Sequence, residues 1–444
     1  MSQDLVRLRR RYVTLTALRW LPTGLVAPLI VLLLSTRGMS LTTIGLLTAL
    51  FSASTLLLEL PTGGLADVVG RRGVIVASSL VSALGSTLVA FANSAAWFAV
   101  AFVLMGLARA LDSGPLEAWY VDRVHAVDPD ADLTPGLSRA AVAESGSLAV
   151  GALAAGAAVA IVPGPTSGAG LVALSVPFFL RAVLSLVQIA VTLAWVDEVP
   201  DRRPGLAAPQ QRGALARIVA GSRASAREVP ATVARGLRVA GGSARIRRLL
   251  AFTGALGVAL AGIELLAPAR ASALLGGEAA AAGPYAVLVT AGFLGSSAGA
   301  ALAPAASRLF RHDARAAALS IAGAAIALAC VALPLAGAAA AAFVAFYLLL
   351  GVSGPLTASL LHGEVGSAER ATLLSVQSMA LQSAALVCTA ALGAVAGATS
   401  LAVGFGALAG ALACGALAIG RWPAPEPRTQ AGSAEDPAHV PATR

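Results

Sequence analysis

Apolar residues run uninterrupted by charge from Gly73 to Ala108, from Ser145 to Leu180, from Ala316 to Leu361 and from Ala371 to Gly420. One helix crosses the hydrocarbon core of a bilayer with about 20 residues, so each run is long enough for two spans. Small turn-forming clusters sit near the midpoints: Ala92-Asn93-Ser94, Pro163 to Gly168, Pro334 to Gly337 and Gly397 to Ser400. The runs therefore read as helical hairpins with short connections. Further apolar stretches begin near Val13, Ser40, Leu249 and Ala280. Together they predict twelve membrane helices, at about 13–35, 40–61, 73–92, 95–119, 140–162, 171–196, 249–269, 281–304, 315–335, 338–361, 371–396 and 399–420.

The segment 197–248 breaks the pattern. It carries eleven arginines and four acids, with Pro200, Pro204 and Pro230 among its prolines, and it reads as a basic linker between a six-helix half at 1–196 and another at 249–420. Within it, Ala231 to Leu250 interleaves arginines with Val233, Leu237, Val239 and Ile246, which suits either an amphipathic helix on an anionic leaflet or a solvated connector. Residues 421–444, with Pro423, Pro425, Pro427 and Pro437, read as a disordered tail. The tetrad Ser113-Gly114-Pro115-Leu116 returns as Ser353-Gly354-Pro355-Leu356, in the fourth span of each half, as an internal duplication would place it.

Charge orients this frame. All 31 Lys and Arg positions are arginine, and 26 of them fall on one side of the predicted spans, leaving Arg37 and Arg270 on the other face and Arg19, Arg109 and Arg181 within spans. The positive-inside rule then puts both termini and the linker in the cytoplasm. The net charge of +9 is accounted for by topology, and no nucleic-acid partner is needed. Composition agrees: 57% hydrophobic and 12% charged residues, with a mean hydropathy of +0.82, belong to an integral membrane protein. Arginine without lysine, beside abundant alanine, suggests a GC-rich bacterial genome and so the bacterial cytoplasmic membrane. The basic stretch Arg7 to Arg11 before the first span reads as a retained helix start and not a removed signal peptide. Cys330, Cys388 and Cys414 lie in apolar spans without metal-ligand spacing. No Ser/His/Asp set or phosphate loop points to an enzyme, and no cofactor is implied.

Charges inside spans are the candidate chemistry, because an unpaired charge at mid-membrane costs several kcal/mol or more. In RALDSGPLEAWYVDR, Arg109 to Arg123, the spacing allows Arg109 and Asp112 to pair on one helix face. Asp112 is then either a proton carrier, released when the arginine moves away, or half of a static pair. Glu117 is either a transport residue or an acid at the water interface, and Trp119 either anchors the helix at the interface or lines a cavity. Arg19, before Pro22, Gly24 and Pro28, either meets an anionic substrate or an acid, or snorkels. Glu264 in the seventh span is a second proton-site candidate, and Arg181 needs a partner. Glu59 and Glu144 fit either gates or interface residues.

Between the second and third spans stands ELPTGGLADVVGRR, Glu59 to Arg72. This resembles the signature loop of the major facilitator superfamily, Gly-x-Leu-Ala-Asp-Arg-x-Gly-Arg-Arg, with Val68 in place of the usual basic residue. The six-plus-six layout extends the resemblance over nearly the whole chain. It implies a conformational latch made of Gly63, Asp67, Gly70, Arg71 and Arg72, with Asp67 facing the helix start near Glu369 to Thr372 and the arginines meeting Asp122. The second half has no aligned acid in Ala298 to Arg315, so the latch is one-sided. Arg109 with Gly114, and the glycines Gly146, Gly151 and Gly156 of the fifth span, are similar in part to antiporter motifs of the superfamily. The Arg109 motif is shifted by a residue, and the fifth-span Gly-Pro pair is absent.

The expected protein is an all-α integral membrane protein of twelve helices in two pseudo-symmetric halves. Resemblance and buried charge imply a secondary transporter, a proton-coupled exporter of small amphipathic molecules acting by alternating access as a monomer. The alternative is a proton-coupled nutrient or metabolite symporter.

Overall fold

The computed structural model of the chain describes residues 3–63, 70–129, 131–161, 172–197, 243–364 and 367–423. Among them, twelve spans are long and apolar enough to cross a membrane. They are built from fourteen helices, because two spans are broken. The first half comprises α1 (Gln3–Val26), α2 (Ile30–Thr36), α3 (Leu41–Gly63), α4 (Arg71–Phe91), α5 (Ala95–Leu111), α6 (Pro115–Val127), α7 (Thr134–Ile161) and α8 (Val176–Trp195). The second comprises α9 (Ala244–Leu275), α10 (Glu278–Phe310), α11 (Asp313–Cys330), α12 (Ala336–Glu364), α13 (Ser367–Ala398) and α14 (Leu401–Gly420). The linker 198–242, including most of the 231–250 stretch, the tail from 424 onward and the loop 64–69 lie outside the described residues.

Both breaks follow from proline and glycine. Pro28 has no N–H to continue the ladder, and Leu29 bonds back only to Val26 (3.0 Å), so the first span is interrupted between α1 and α2. The fourth span was expected as one helix over 95–119. It instead ends at Leu111 and restarts at Pro115, because Gly114 sits at φ 97° and Pro115 opens a new helix. It also runs on to Val127, eight residues beyond its expected end.

Within the first half, α1 and α7 meet backbone to backbone. A Cβ on Gly151 would lie 2.5 Å from the Leu21 carbonyl, and one on Gly24 2.5 Å from that of Leu148. The spaced glycines of the fifth span are thus packing residues in part, since Gly156 faces Ala286 of α10 across the two halves. The halves are joined by α7 against α10, where the Thr290 hydroxyl donates to the Ala149 carbonyl (3.2 Å), and by α3 against α13. At the α3–α13 seam Thr42 Oγ1 donates to the Gly393 carbonyl (3.2 Å), and further along Gln382 Nε2 donates to Glu59 Oε2 (3.0 Å).

The two arginines expected on the sparse face both donate to backbone carbonyls, Arg37 to a hydroxyl as well. Arg37, 8% exposed, donates to the Ala90 carbonyl and to Ser175 Oγ, each at 3.3 Å, and burial pulls its pKa below the ordinary arginine value. Arg270 Nη2 donates to the carbonyls of Ala332 and Leu333, both at 2.7 Å. Carbonyls at helix ends are unsatisfied acceptors, so a cation there closes a loop.

Candidate substrate and proton-coupling site

The break in the fourth span creates the most polar point of the first half. Where α5 stops, the Asp112 carbonyl loses its helical partner, and the guanidinium of Arg19 on α1 takes it, Nη2 donating at 2.8 Å. The same guanidinium donates through Nε to the Asp112 carboxylate, forming an ion pair. Each side chain retains less than a fifth of its exposure. The expected Arg109–Asp112 pair is therefore corrected: Asp112 belongs to Arg19, 93 residues away, because one guanidinium satisfies both its carboxylate and its freed carbonyl.

Arg109 turns instead to an aromatic face. Its guanidinium carbon lies 5.6 Å from the Trp20 ring centroid, and that of Arg19 lies 5.3 Å from the same ring. Glu144 of α7 is coupled electrostatically to both arginines, and Arg181 of α8 to Asp112. Arg181 also donates to Ser82 Oγ of α4 (3.2 Å), which supplies the partner it needed. Four elements thus contribute to one charged cluster, Arg19, Arg109, Asp112, Glu144 and Arg181, with the Trp20 ring facing the first two.

The other candidates stand in different settings, although Tyr12 feels Glu117 as well as Arg19 and Glu144 of the cluster. Glu117 is exposed on the first turn of α6. Trp119 is corrected as a cavity residue and as an interfacial anchor: it is 2% exposed, and its indole N–H donates to the Asp197 carbonyl (3.1 Å), tying α6 to the end of α8. Tyr120 beside it stacks on Tyr12 with centroids 4.3 Å apart, closing a small core of its own.

In the second half, Glu264 lies partway along α9 with an accessible side chain. It acts electrostatically on two phenols, Tyr285 of α10 and Tyr347 of α12. Phe343 links them, 6.1 Å from Tyr285 and 5.0 Å from Tyr347 between ring centroids. No ion pair to Glu264 occurs among the described residues. Trp20 and the two tyrosines were not picked out from sequence. The available signal was a polar-tipped aromatic inside an apolar span, and for Trp20 its place beside Arg19.

Of the loop between the second and third spans, Gly63 ends α3 and Gly70 precedes α4 at φ 92°, a conformation that favours glycine. Asp67 lies outside the described residues, as do the side chains near the start of α13. Arg71 pairs with Asp122 at 2.6 Å, while Arg72 Nη2 donates to the Leu193 carbonyl (2.7 Å), so the two arginines reach different helices.

Comparison with known proteins places these features. The family model described as Major Facilitator Superfamily matches residues 13–389. An "Uncharacterized MFS-type transporter YxaM" of Bacillus subtilis (strain 168) is 32% identical over 108 residues, covering 24% of this chain and 27% of that protein. The match therefore spans about a quarter of that relative's length. Among solved structures, the nucleoside transporter NupG superposes with a TM-score of 0.72 at 12% identity, covering 93% of this chain and 98% of that one. A bacterial homologue of the human lysosomal transporter Spinster gives 0.68 at 13% identity, covering 94% and 95%. The peptide transporter POT in complex with sulfate gives 0.65 at 16% identity, covering 93% of each chain.

Proposed function

The chain belongs to the Major Facilitator Superfamily, and from that premise we propose that it is a proton-coupled exporter of small amphipathic molecules. The observation that carries the proposal is Glu264: an accessible acid within a membrane span, with two phenols for neighbours and no cation paired to it among the described residues. A lone carboxylate is tolerable while water reaches it and expensive once the space around it closes, so closing the cavity favours its protonated form. Loading and release of that proton give the two halves a reason to alternate. The apolar and aromatic surroundings, Tyr285, Phe343 and Tyr347, favour an amphipathic cargo over a strongly polar one.

Asp112 then has a different task. Its ion pair with Arg19 holds α1 to the break in the fourth span, and Arg109 over Trp20 offers a cation beside it. Asp112, Arg109 and Glu144 form the relay or substrate end of the pathway, and Glu264 the proton end. The segment Gly63 to Arg72 acts as the latch: Arg71 on Asp122 is its described contact, and Asp67 supplies the carboxylate that a helix N-terminus attracts. A carboxylate at a helix N-terminus contributes about 0.3 to 1 kcal/mol, enough to bias two states of similar energy.

The test is transport in proteoliposomes of known orientation, with a panel of lipophilic compounds and an imposed pH gradient. Compound should move against its gradient, away from the face carrying the chain termini, while protons move the other way. A protonophore should abolish that movement, and Glu264→Gln should lose gradient-driven flux while keeping exchange of labelled for unlabelled compound. Equal flux with and without the gradient would remove proton coupling. Flux of compound in the same direction as protons would favour the symporter.

A further inference from the structure

A second site lies on the outside of the second half, away from the charged cluster and Glu264. Between α11 and α14 runs a cavity of about 730 Å³, with an alanine floor that includes Ala322, Ala325 and Ala413. Its rims are Leu319, Ile326 and Leu417, exposed by 53%, 68% and 59%, so the groove opens outward along the apolar surface of two membrane spans. From Ala318 to Ala329 the floor advances eleven residues, about 16 Å at 1.5 Å per residue. Half the thickness of a hydrocarbon core is about 15 Å. The groove therefore matches one acyl chain in one leaflet.

Its end at the start of α11 and the close of α14 is basic. A second cavity of about 460 Å³ shares Ala318, Leu319 and Gly420 with the first and is lined by Arg311 and Arg315, while Arg421 lines the first. All three arginines are exposed, and none is in an ion pair among the described residues. The neighbouring acid makes no ion pair with them among the described residues: Asp313 accepts hydrogen bonds from the hydroxyls of Ser307 and Ser359. Arg311 stands at φ 63°, the one non-glycine residue with positive φ among those described, at a helix C-cap where glycine is the usual occupant. An arginine kept there, at the mouth of an apolar groove, places a cation at the headgroup level of the leaflet.

We propose that this groove binds one anionic phospholipid, its acyl chain on the alanine floor and its phosphate on Arg311, Arg315 and Arg421. An apolar slot of leaflet length ending in three unpaired cations is complementary to an amphiphile with a negative head, and each basic residue near such a headgroup adds to the attraction. A zwitterionic lipid fills the slot equally well and gains less at the mouth. A second copy of the chain fits less well, because the two basic mouths would meet.

Native mass spectrometry tests this on the full chain, purified and equilibrated with equal amounts of dioleoyl phosphatidylglycerol and dioleoyl phosphatidylcholine. Wild type should retain one phosphatidylglycerol in preference to phosphatidylcholine. R311Q/R315Q/R421Q should lose that preference by up to about a hundredfold, the triple lysine variant should keep most of it, and Ala322→Phe should release both lipids by filling the floor. Equal retention of the two lipids by wild type, or an undiminished preference in the glutamine variant, would overturn the proposal. So would displacement of the lipid by inorganic phosphate alone, which assigns a free-anion site, or a dimer that Ala322→Phe dissociates while lipid stays bound. Should the triple glutamine variant fail to fold, Arg311→Gln and Arg421→Gln singly read the same preference, and no decrease in either would also overturn it.

Discussion

The same four residues, Ser-Gly-Pro-Leu, occupy the fourth span of each half and adopt two different structures. At Ser113 to Leu116 the helix stops, with Gly114 at φ 97° and Pro115 opening a new helix. At Ser353 to Leu356 the helix α12 runs through without interruption, Pro355 included. Both serines bond back to a carbonyl three residues earlier, Ser113 to Ala110 (2.9 Å) and Ser353 to Leu350 (2.8 Å), so the tetrad itself does not decide. The flanks differ. In the second half Thr357 donates to the carbonyls of Ser353 (2.9 Å) and Gly354 (3.0 Å), inside the same helix. In the first half that position is Glu117, which has no hydroxyl to lend, and the residue before the tetrad is Asp112, whose carbonyl and carboxylate are taken by Arg19 from another helix. A proline in a membrane helix leaves the carbonyl four residues back without its N–H and is tolerated where neighbouring groups compensate.

A repeated tetrad thus keeps its place in the span and loses its symmetry where one copy has a long-range partner. The broken copy became the charged centre of its half. The unbroken copy carries Tyr347 six residues before its serine, in the wall around Glu264.

The largest effect should come from removing the long-range partner. Arg19→Ala leaves a largely buried carboxylate and a helix-end carbonyl without their cation, which should lower stability by about 3 kcal/mol or more and abolish transport. Thermal unfolding in detergent reads the first quantity, and the double variant Arg19→Ala/Asp112→Ala should recover part of it. An Arg19→Ala loss under about 1 kcal/mol would mean that the break is held by its local sequence alone.

A medium effect tests the two glycines directly. Gly114→Ala forces a Cβ into a left-handed conformation and should destabilise by about 1 to 2 kcal/mol, although nothing lies within 4 Å of the added atom. Gly354→Ala, in an unbroken helix with equally open space, should stabilise by up to about 1 kcal/mol. Shifts of the same sign in both variants would contradict the two conformations.

The smallest effect belongs to the pair just beyond the first tetrad, Arg71 with Asp122. Asp122 keeps 46% of its side-chain exposure, so Asp122→Asn should change stability by about 0.2 to 1 kcal/mol, less in high salt. The expected reading is a shifted rate of conformational exchange, measured by accessibility labelling, with the fold intact. Unchanged labelling would remove the pair from the latch.

How much was legible beforehand depended on the range of the interaction. Span number and hairpin pairing are written in local runs of apolar residues, and the arginine imbalance is likewise additive along the chain. Arg19, Asp112, Asp122 and Glu264 were identifiable as costly charges in or beside apolar spans, because that penalty is a property of one residue and its medium. Trp119 was misassigned from the same local view: an aromatic near a span end suits an interface, yet its indole found the Asp197 carbonyl 78 residues away.

The twelve spans, the two halves and the few charges that a membrane would not accept without compensation are written in the order of residues. Which charge meets which, Asp112 with Arg19 and Arg109 with Trp20, and which SGPL breaks, depend on how the helices pack. Hydropathy and helix propensity are short-range and add up residue by residue. A hydrogen bond to a freed carbonyl depends on what another helix brings within about 3 Å, and that is settled only when the helices pack.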